Sequence, residues 1–281
     1  MKLNVPDELR INVDHVKEII CGSIVDYLTK AGYTKAVLGL SGGIDSACVC
    51  YLAAEALGPQ NVLALTLPYA TSAPESLQDA LTVISTLGVQ HEHIEITPMM
   101  EALFATLPDM DRRRRGNAMA RMRMIIWYDR SEAFNGLVLG AANKTEWLLG
   151  YSTLHGDSAC AMAPIADLYK TQVRQLAAAL SVPEQIQRKA PSADLWPGQT
   201  DEAELGLTYE LADQILYLLL DSGLHPKQVV QHGYPETQVR RVCRLVKHSQ
   251  FKRTLPAVPK VSEHACTPIP TGHQFDLWAD W

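Results

Sequence analysis

The sequence predicts an α/β protein, a doubly wound parallel sheet flanked by helices, and three observations carry that reading. Short apolar runs such as KAVLGL (35–40) and NVLALTLPY (61–69) alternate with longer stretches whose apolar residues recur at helical spacing. The runs lack the in–out alternation of a sheet with one wet face, so they suit strands covered on both sides. The stretches between them are long enough for crossover helices, which makes neighbouring strands parallel.

Residues 13–31 open the series as a helix with Val16, Ile19, Ile20, Ile24, Val25 and Leu28 at helical spacing and Gly32 just beyond its end. KAVLGL is the first strand, and IDSACVCYLAAEALG (44–58) is a helix that stops at Gly58. NVLALTLPY is the second strand, its ladder ended by Pro68. Ala73-Pro74 starts the helix APESLQDALTVISTLG, and Gly88 closes it. HEHIEIT (91–97) reads as a third strand, NAMARMRMIIWYDRSEAF (117–134) as a helix and GLVLGAAN (136–143) as a fourth strand. Beyond Asn143 the pattern turns helical: PIADLYKTQVRQLAAALSVP (164–183), TYELADQILYLLLDSG (208–223) and PETQVRRVCRLVKHSQFKR (235–253). Between the first two of these lies KAPSADLWPGQTDEAELG (189–206), polar and rich in Pro and Gly, of the length that makes lids and binding loops. Residues 1–256 read as a single domain, and 257–281 as a Pro-rich extension without a period, draped on the surface or partly disordered.

The chain has 281 residues, 47% hydrophobic and 20% charged, the profile of a soluble globular protein. A net charge of −6 argues against bulk nucleic-acid binding. The six cysteines show no C-x-x-C and no regular framework, which suits reduced thiols. No apolar leader opens the sequence and no run approaches the roughly 20 apolar residues of a membrane span. The expectation is a cytoplasmic protein that engages neither membrane nor nucleic acid.

SGGIDS (41–46) follows the first strand, at the carboxyl edge where α/β sheets bind ligands. Small residues there let backbone N–H groups crowd around an anion at a helix N-terminus, and Gly42 and Gly43 permit the close approach. A plain strand–helix turn, capped by Asp45 or Ser46, is the alternative. The stretch has no G-K-[ST], so it is not the loop of ordinary kinases and ATPases. It resembles instead the PP-loop of the N-type ATP pyrophosphatases, which cleave ATP between its α and β phosphates and pass AMP to an acceptor oxygen.

Four further blocks narrow the resemblance: GNAMARMRM (116–124), LVLGAANKTE (137–146), APIADLYKTQV (163–173) and PSADLWPGQTDEAELG (191–206). In this order they look like the ammonia-dependent NAD synthetases, over about 13–256. That resemblance implies an adenine nucleotide alpha hydrolase-like, Rossmann-like fold and an ATP-dependent ligase. Such an enzyme adenylates the carboxylate of deamido-NAD and aminates it with ammonia, releasing AMP and pyrophosphate. It implies ATP as co-substrate and Mg2+ on Asp45 and Glu146. Ser41, Gly42, Gly43, Asp45 and Ser46 match the phosphate loop, while Lys170 and Ser192 match ATP contacts, Lys170 counting with Asp45 and Glu146 as catalytic. Arg121, Asp157 and Lys252 match the side that holds the acid. A homodimer is implied too, and the apolar helix around Met119–Trp127 suits burial between subunits. The four arginines Arg112–Arg115 read as a solvated loop, or as a phosphate- or subunit-facing patch just ahead of that helix.

The chain departs from the family pattern at several positions. Leu154 stands where a lysine is usual, Ser158 for a glycine, Ala161 for a second aspartate, Phe251 for a histidine and Ala141 for a threonine. Leu154, Ala161 and Phe251 all fall on the deamido-NAD side, while the phosphate-loop and metal positions are intact. Two alternatives to NAD synthesis therefore stand: a paralogue that amidates a different carboxylic acid, and a non-catalytic ATP-binding paralogue. A tRNA-thiolating reading would need catalytic cysteines, and Cys48 and Cys50 suit the core of the first strand's helix instead. With about 40 residues ahead of the loop no glutaminase domain is expected, so nitrogen comes as free ammonia or from a separate amidotransferase.

Overall fold

The computed structural model describes residues 6–196, 198–254 and 258–259. Its sheet consists of β1 (Ala36–Gly39), β2 (Val62–Thr66), β3 (Gln90–His93) and β4 (Leu137–Val138), all parallel, in the spatial order β3-β2-β1-β4. The chain moves outward from β1 to β3 and then returns to the other side of β1. The loop after β1 therefore sits at the point where the strand order reverses, where such sheets open a crevice.

Alternate residues of the central strands face opposite layers, as the continuous apolar runs require. Ala36, Leu38, Val62 and Ala64 pack with α1 (Val13–Lys30), α2 (Ile44–Leu57) and a later helix, described below. Val37, Leu63 and Leu65 pack on the other side with α4 (Thr97–Thr106) and α5 (Arg112–Phe134). The helix α3 (Pro74–Leu87) between them begins with its proline and ends at Gly88, whose φ of 67° is the left-handed cap conformation. α2 is buried continuously from Ser46 to Ala54, as befits a helix apolar all round and enclosed by sheet and helices. Cys48 and Cys50 belong to that core, and burial pushes the Cys50 thiol up to about 12, out of reach of thiolate chemistry.

After β4 come α6 (Lys144–Leu149), α7 (Lys170–Ala179), α8 (Glu184–Arg188), α9 (Asp201–Leu205) and α10 (Tyr209–Leu216). α7 is the later helix of the first layer, through Val173, Leu176 and Ala177. α10 runs on into a wider π turn at Tyr217–Asp221, followed by α11 (Pro226–Gln231) and α12 (Glu236–His248). Leu149, Tyr169, Tyr209, Leu216, Val229 and Val239 join these helices into a second core beside the carboxyl edge of the sheet.

Several elements differ from the sequence reading, among them the third strand, which ends at His93, and the fourth, which is confined to Leu137–Val138. The arginine run is no loop: Arg112–Arg115 form the first turn of α5, because Asp111 caps the helix by accepting the Arg114 N–H at 2.8 Å. The helix expected from residue 164 begins only at Lys170. Its first six residues form turns, and the Leu168 carbonyl is taken by the Lys144 N–H at 2.8 Å. α4 was not legible as a separate helix, since its apolar anchors Met100 and Phe104 are only two and lie four residues apart. Apart from Val258 and Pro259, the Pro-rich extension lies outside the described residues.

Candidate active site

Gly42 has φ 77°, and a Cβ there would run into the Ser76 carbonyl at the start of α3, so the phosphate loop and α3 touch backbone to backbone. The loop is tied shut by its own hydroxyls. Ser46 Oγ accepts the Ser41 N–H at 3.2 Å and donates to the Gly43 carbonyl at 3.1 Å, and the Ser41 and Ser46 hydroxyls lie 3.1 Å apart. Gly43 caps α2 without a side chain, leaving the first-turn N–H groups facing the crevice with no intrahelical partner.

Beside this turn stands Lys170, the first residue of α7 and only 2% exposed. Its ammonium donates to Asp45 Oδ2 and, at 3.1 Å, to Glu146 Oε1. Asn143 joins the two carboxylates from the far side. Its Nδ2 donates to Asp45 Oδ1 at 2.9 Å, and its Oδ1 accepts the Glu146 N–H at 3.0 Å in a capping box that starts α6. The Tyr209 hydroxyl, one helix away, is 3.3 Å from Glu146 Oε1 and 3.0 Å from Asp201 Oδ2. Two carboxylates thus hold one ammonium, and a third, Asp201, joins them through the Tyr209 hydroxyl. Burial, with Asp45 and Asp201 adding repulsion against the pull of Lys170, pushes the Glu146 carboxyl above the usual range. Burial alone would lower Lys170, but Asp45 and Glu146 outweigh it and hold the ammonium charged.

A cavity of about 1230 Å³ opens from this floor, and every site residue expected from the sequence lines it, from Ser41 through Ser192 to Lys252. Their occupations differ. Lys252 spends its ammonium on the Gly150 and Ser152 carbonyls at 2.8 and 2.6 Å, and Asp157, exposed at the loop, accepts the Thr153 N–H at 2.6 Å. Both brace the 150–158 loop. Arg121 donates through Nε and Nη2 to the Leu154 carbonyl at 3.2 Å.

Ser192 is exposed on a strap over the cavity mouth. Asp194 holds the strap to α3 by accepting the Ala73 N–H at 3.0 Å, Lys189 pairs with Asp79 at 2.8 Å, and Arg112 stacks on Trp196 at 4.6 Å. Asn143 and Asp201 lie inside two of the four sequence blocks, which do not single them out, and Tyr209 lies outside all four. Arg123 could have been found, since it shares ARMRM with Arg121. The residue is half-buried, donates from Nε to the Leu67 carbonyl at 3.0 Å and makes no ion pair among the described residues.

A sequence model of the NAD synthase family matches residues 16–256. The chain belongs to that family. Among curated relatives, the NH3-dependent NAD+ synthetase of Trichlorobacter lovleyi is 52% identical over 254 residues, 90% of this chain and 93% of that protein. Among solved structures, NMN synthetase from Francisella tularensis superposes with a TM-score of 0.80 at 35% identity, covering 89% of this chain and 99% of its own. NH3-dependent NAD synthetase from Campylobacter jejuni gives 0.77 at 30%, with 89% and 100% covered. The NAD synthase resemblance read from the motifs therefore holds over nearly the whole described chain. Among the described residues no helix is long and apolar enough to cross a membrane.

Proposed function

We infer that the chain is an ammonia-dependent NAD synthetase, the activity that the Trichlorobacter relative's name gives for that protein. One observation carries this: a buried lysine held between two carboxylates, beside a phosphate loop that has no lysine of its own.

Ammonia cannot displace oxygen from a carboxylate, which is a poor electrophile without a leaving group. A carboxylate oxygen of deamido-NAD attacks the α-phosphorus of ATP, the α–β P–O bond breaks and pyrophosphate leaves. The ammonia lone pair then attacks the acyl carbon, the C–O bond to AMP breaks, and the nitrogen gives up a proton to leave the amide. The SGGIDS turn grips the departing pyrophosphate through its N–H groups, and Lys170 supplies positive charge beside it. Arg121 and Arg123 offer guanidinium charge to the acid's side of the cavity, and the strap around Ser192 excludes water. Magnesium suits Asp45 and Glu146, because both present hard oxygens and one ammonium leaves three carboxylates under-compensated; bound there it would neutralise phosphate charge. Nitrogen enters as free ammonia or from a separate amidotransferase.

A homodimer accompanies this reading. α1 leaves Ile19, Val25 and Tyr27 exposed and α5 leaves Ile125 and Tyr128 exposed, apolar surface that a second copy could cover.

A second reading is favoured by Leu154 and by the occupation of Lys252, which together thin the free charge on the dinucleotide side. The acid would then be the smaller nicotinate mononucleotide, in keeping with the name of the Francisella protein. Incubation with ATP, magnesium, ammonium and each acid separates the readings by product mass. NAD with matching AMP supports the first and NMN the second, whereas no AMP with either acid returns the chain to a non-catalytic ATP binder.

A further inference from the structure

Glu146 and Lys170 belong to different helices, and their separation is set from a third. Asp213, in α10, is fully buried and touches neither side chain. Its Oδ1 accepts the Thr145 hydroxyl at 2.5 Å and its Oδ2 accepts the Thr171 N–H at 2.8 Å. The same Thr145 Oγ1 accepts the Lys170 N–H at 3.0 Å. Thr145 immediately precedes Glu146, and Thr171 immediately follows Lys170. One carboxylate thus grips the neighbour of each site residue, through the Thr145 hydroxyl at the first turn of α6 and through the Thr171 N–H at the first turn of α7, where negative charge is favoured. One turn earlier on α10, Tyr209 reaches the Glu146 carboxylate itself.

We propose that Asp213, acting through the Thr145 hydroxyl, is a positioning residue that fixes the spacing of Glu146 and Lys170 for adenylation. This rests on the reading of Lys170 and Glu146 as adenylation machinery. A buried carboxylate is a costly way to join three helices, since apolar residues of similar volume commonly serve stability as well or better. What it adds is direction: two hydrogen bonds at fixed angles hold the two helix starts in register. A misplacement of about 1 Å in such a constellation costs on the order of a hundredfold in rate.

The test uses the full chain and whichever acid supports AMP formation. Thr145→Val keeps the branched shape and deletes both hydrogen bonds of the hydroxyl, and Thr145→Ser keeps the hydroxyl. At a temperature where circular dichroism shows every variant folded, Thr145→Val is expected to lose about tenfold to a hundredfold in kcat with KM for ATP within about twofold. Thr145→Ser restores kcat to within about threefold of the parent, because the grip is the hydroxyl and not the methyl. A folded Thr145→Val with parental kcat overturns the proposal, and so does a Thr145→Ser as impaired as Thr145→Val. Should Thr145→Val fail to fold, Asp213→Asn decides by the same kcat-against-KM split, parental kcat again overturning it. A parent chain that forms no AMP from either acid would instead defeat the reading of the site, a result distinct from all of these.

Discussion

Lys170 and Asp45, 125 residues apart in sequence, form an ion pair on the floor of the cavity. α7 and α2 bring them together from the same layer of the sheet. Lys170→Met removes the only ammonium bonded to both Asp45 and Glu146 among the described residues. Loss of one partner from a buried pair destabilises by about 3–5 kcal/mol, with the remaining carboxylates left uncompensated. The expected outcome is no acid-dependent AMP formation, together with a fall of that order in unfolding free energy by urea titration.

Asp45→Ala and Glu146→Ala should each abolish acid-dependent AMP formation, as should chelation of divalent metal from the parent. Both carboxylates offer hard oxygens at one point beside the phosphate loop. AMP release followed against magnesium concentration checks this, and a near-parental rate in either variant would remove the metal assignment.

Gly42→Ala strikes the phosphate loop at its tightest point. The position has φ 77°, which costs an L residue about 1–2 kcal/mol, and the new Cβ meets the Ser76 backbone rather than a side chain that could swing away. The loop or the start of α3 must shift, so ATP affinity measured by calorimetry should weaken by about tenfold or more, since 1.4 kcal/mol is already a factor of ten.

Burial lifts the Asp213 carboxyl from 3.8 to about 6, against opposing hydrogen bonds from Thr145 and Thr171. The folded value lies above the unfolded one, so the folded state holds this proton more tightly. Its contribution is full below about pH 4 and is lost as pH rises through about 6. Relative to Asp213→Asn, which does not titrate, the parent should lose about 2–3 kcal/mol of stability between those limits. Chemical denaturation of both proteins at pH 4, 5, 6 and 7 reads the difference directly, and parallel curves would contradict it.

The sequence could announce the sheet because each central strand is apolar on both faces, and Ala36, Val37 and Leu38 do alternate between two layers. It could announce Asp45, Glu146 and Lys170 because each sits in a block whose spacing is constrained by a helix start. What stayed hidden acts across long sequence separations and through ordinary residue types. Asn143, Tyr209 and Asp213 lie on elements whose helical patterns are set by their apolar faces, and their partners are known only once α6, α7 and α10 meet. The α5 start was hidden for another reason: four consecutive arginines suggest solvent, and the capping by Asp111 that makes them helical is one hydrogen bond.

Arg123 separates binding from stability. Burial pushes its guanidinium below the usual arginine range, and the carboxylates that act on it, Asp194 and Asp157, stand too far away to form an ion pair. Held this way without its ligand, the charge is a cost to the fold. It faces the cavity with only Nε engaged by protein, at the Leu67 carbonyl, so an anionic substrate would relieve it. Arg123→Met keeps most of the stem's packing and deletes the charge. Thermal denaturation of the ligand-free variant should therefore occur at or above the parental temperature. Its KM for the acid or for ATP should rise by about tenfold to a hundredfold, the loss of about 1.5–3 kcal/mol expected for one charge-assisted hydrogen bond. A variant that melts well below the parent while binding both substrates normally would show the guanidinium to be a structural strut at the end of β2.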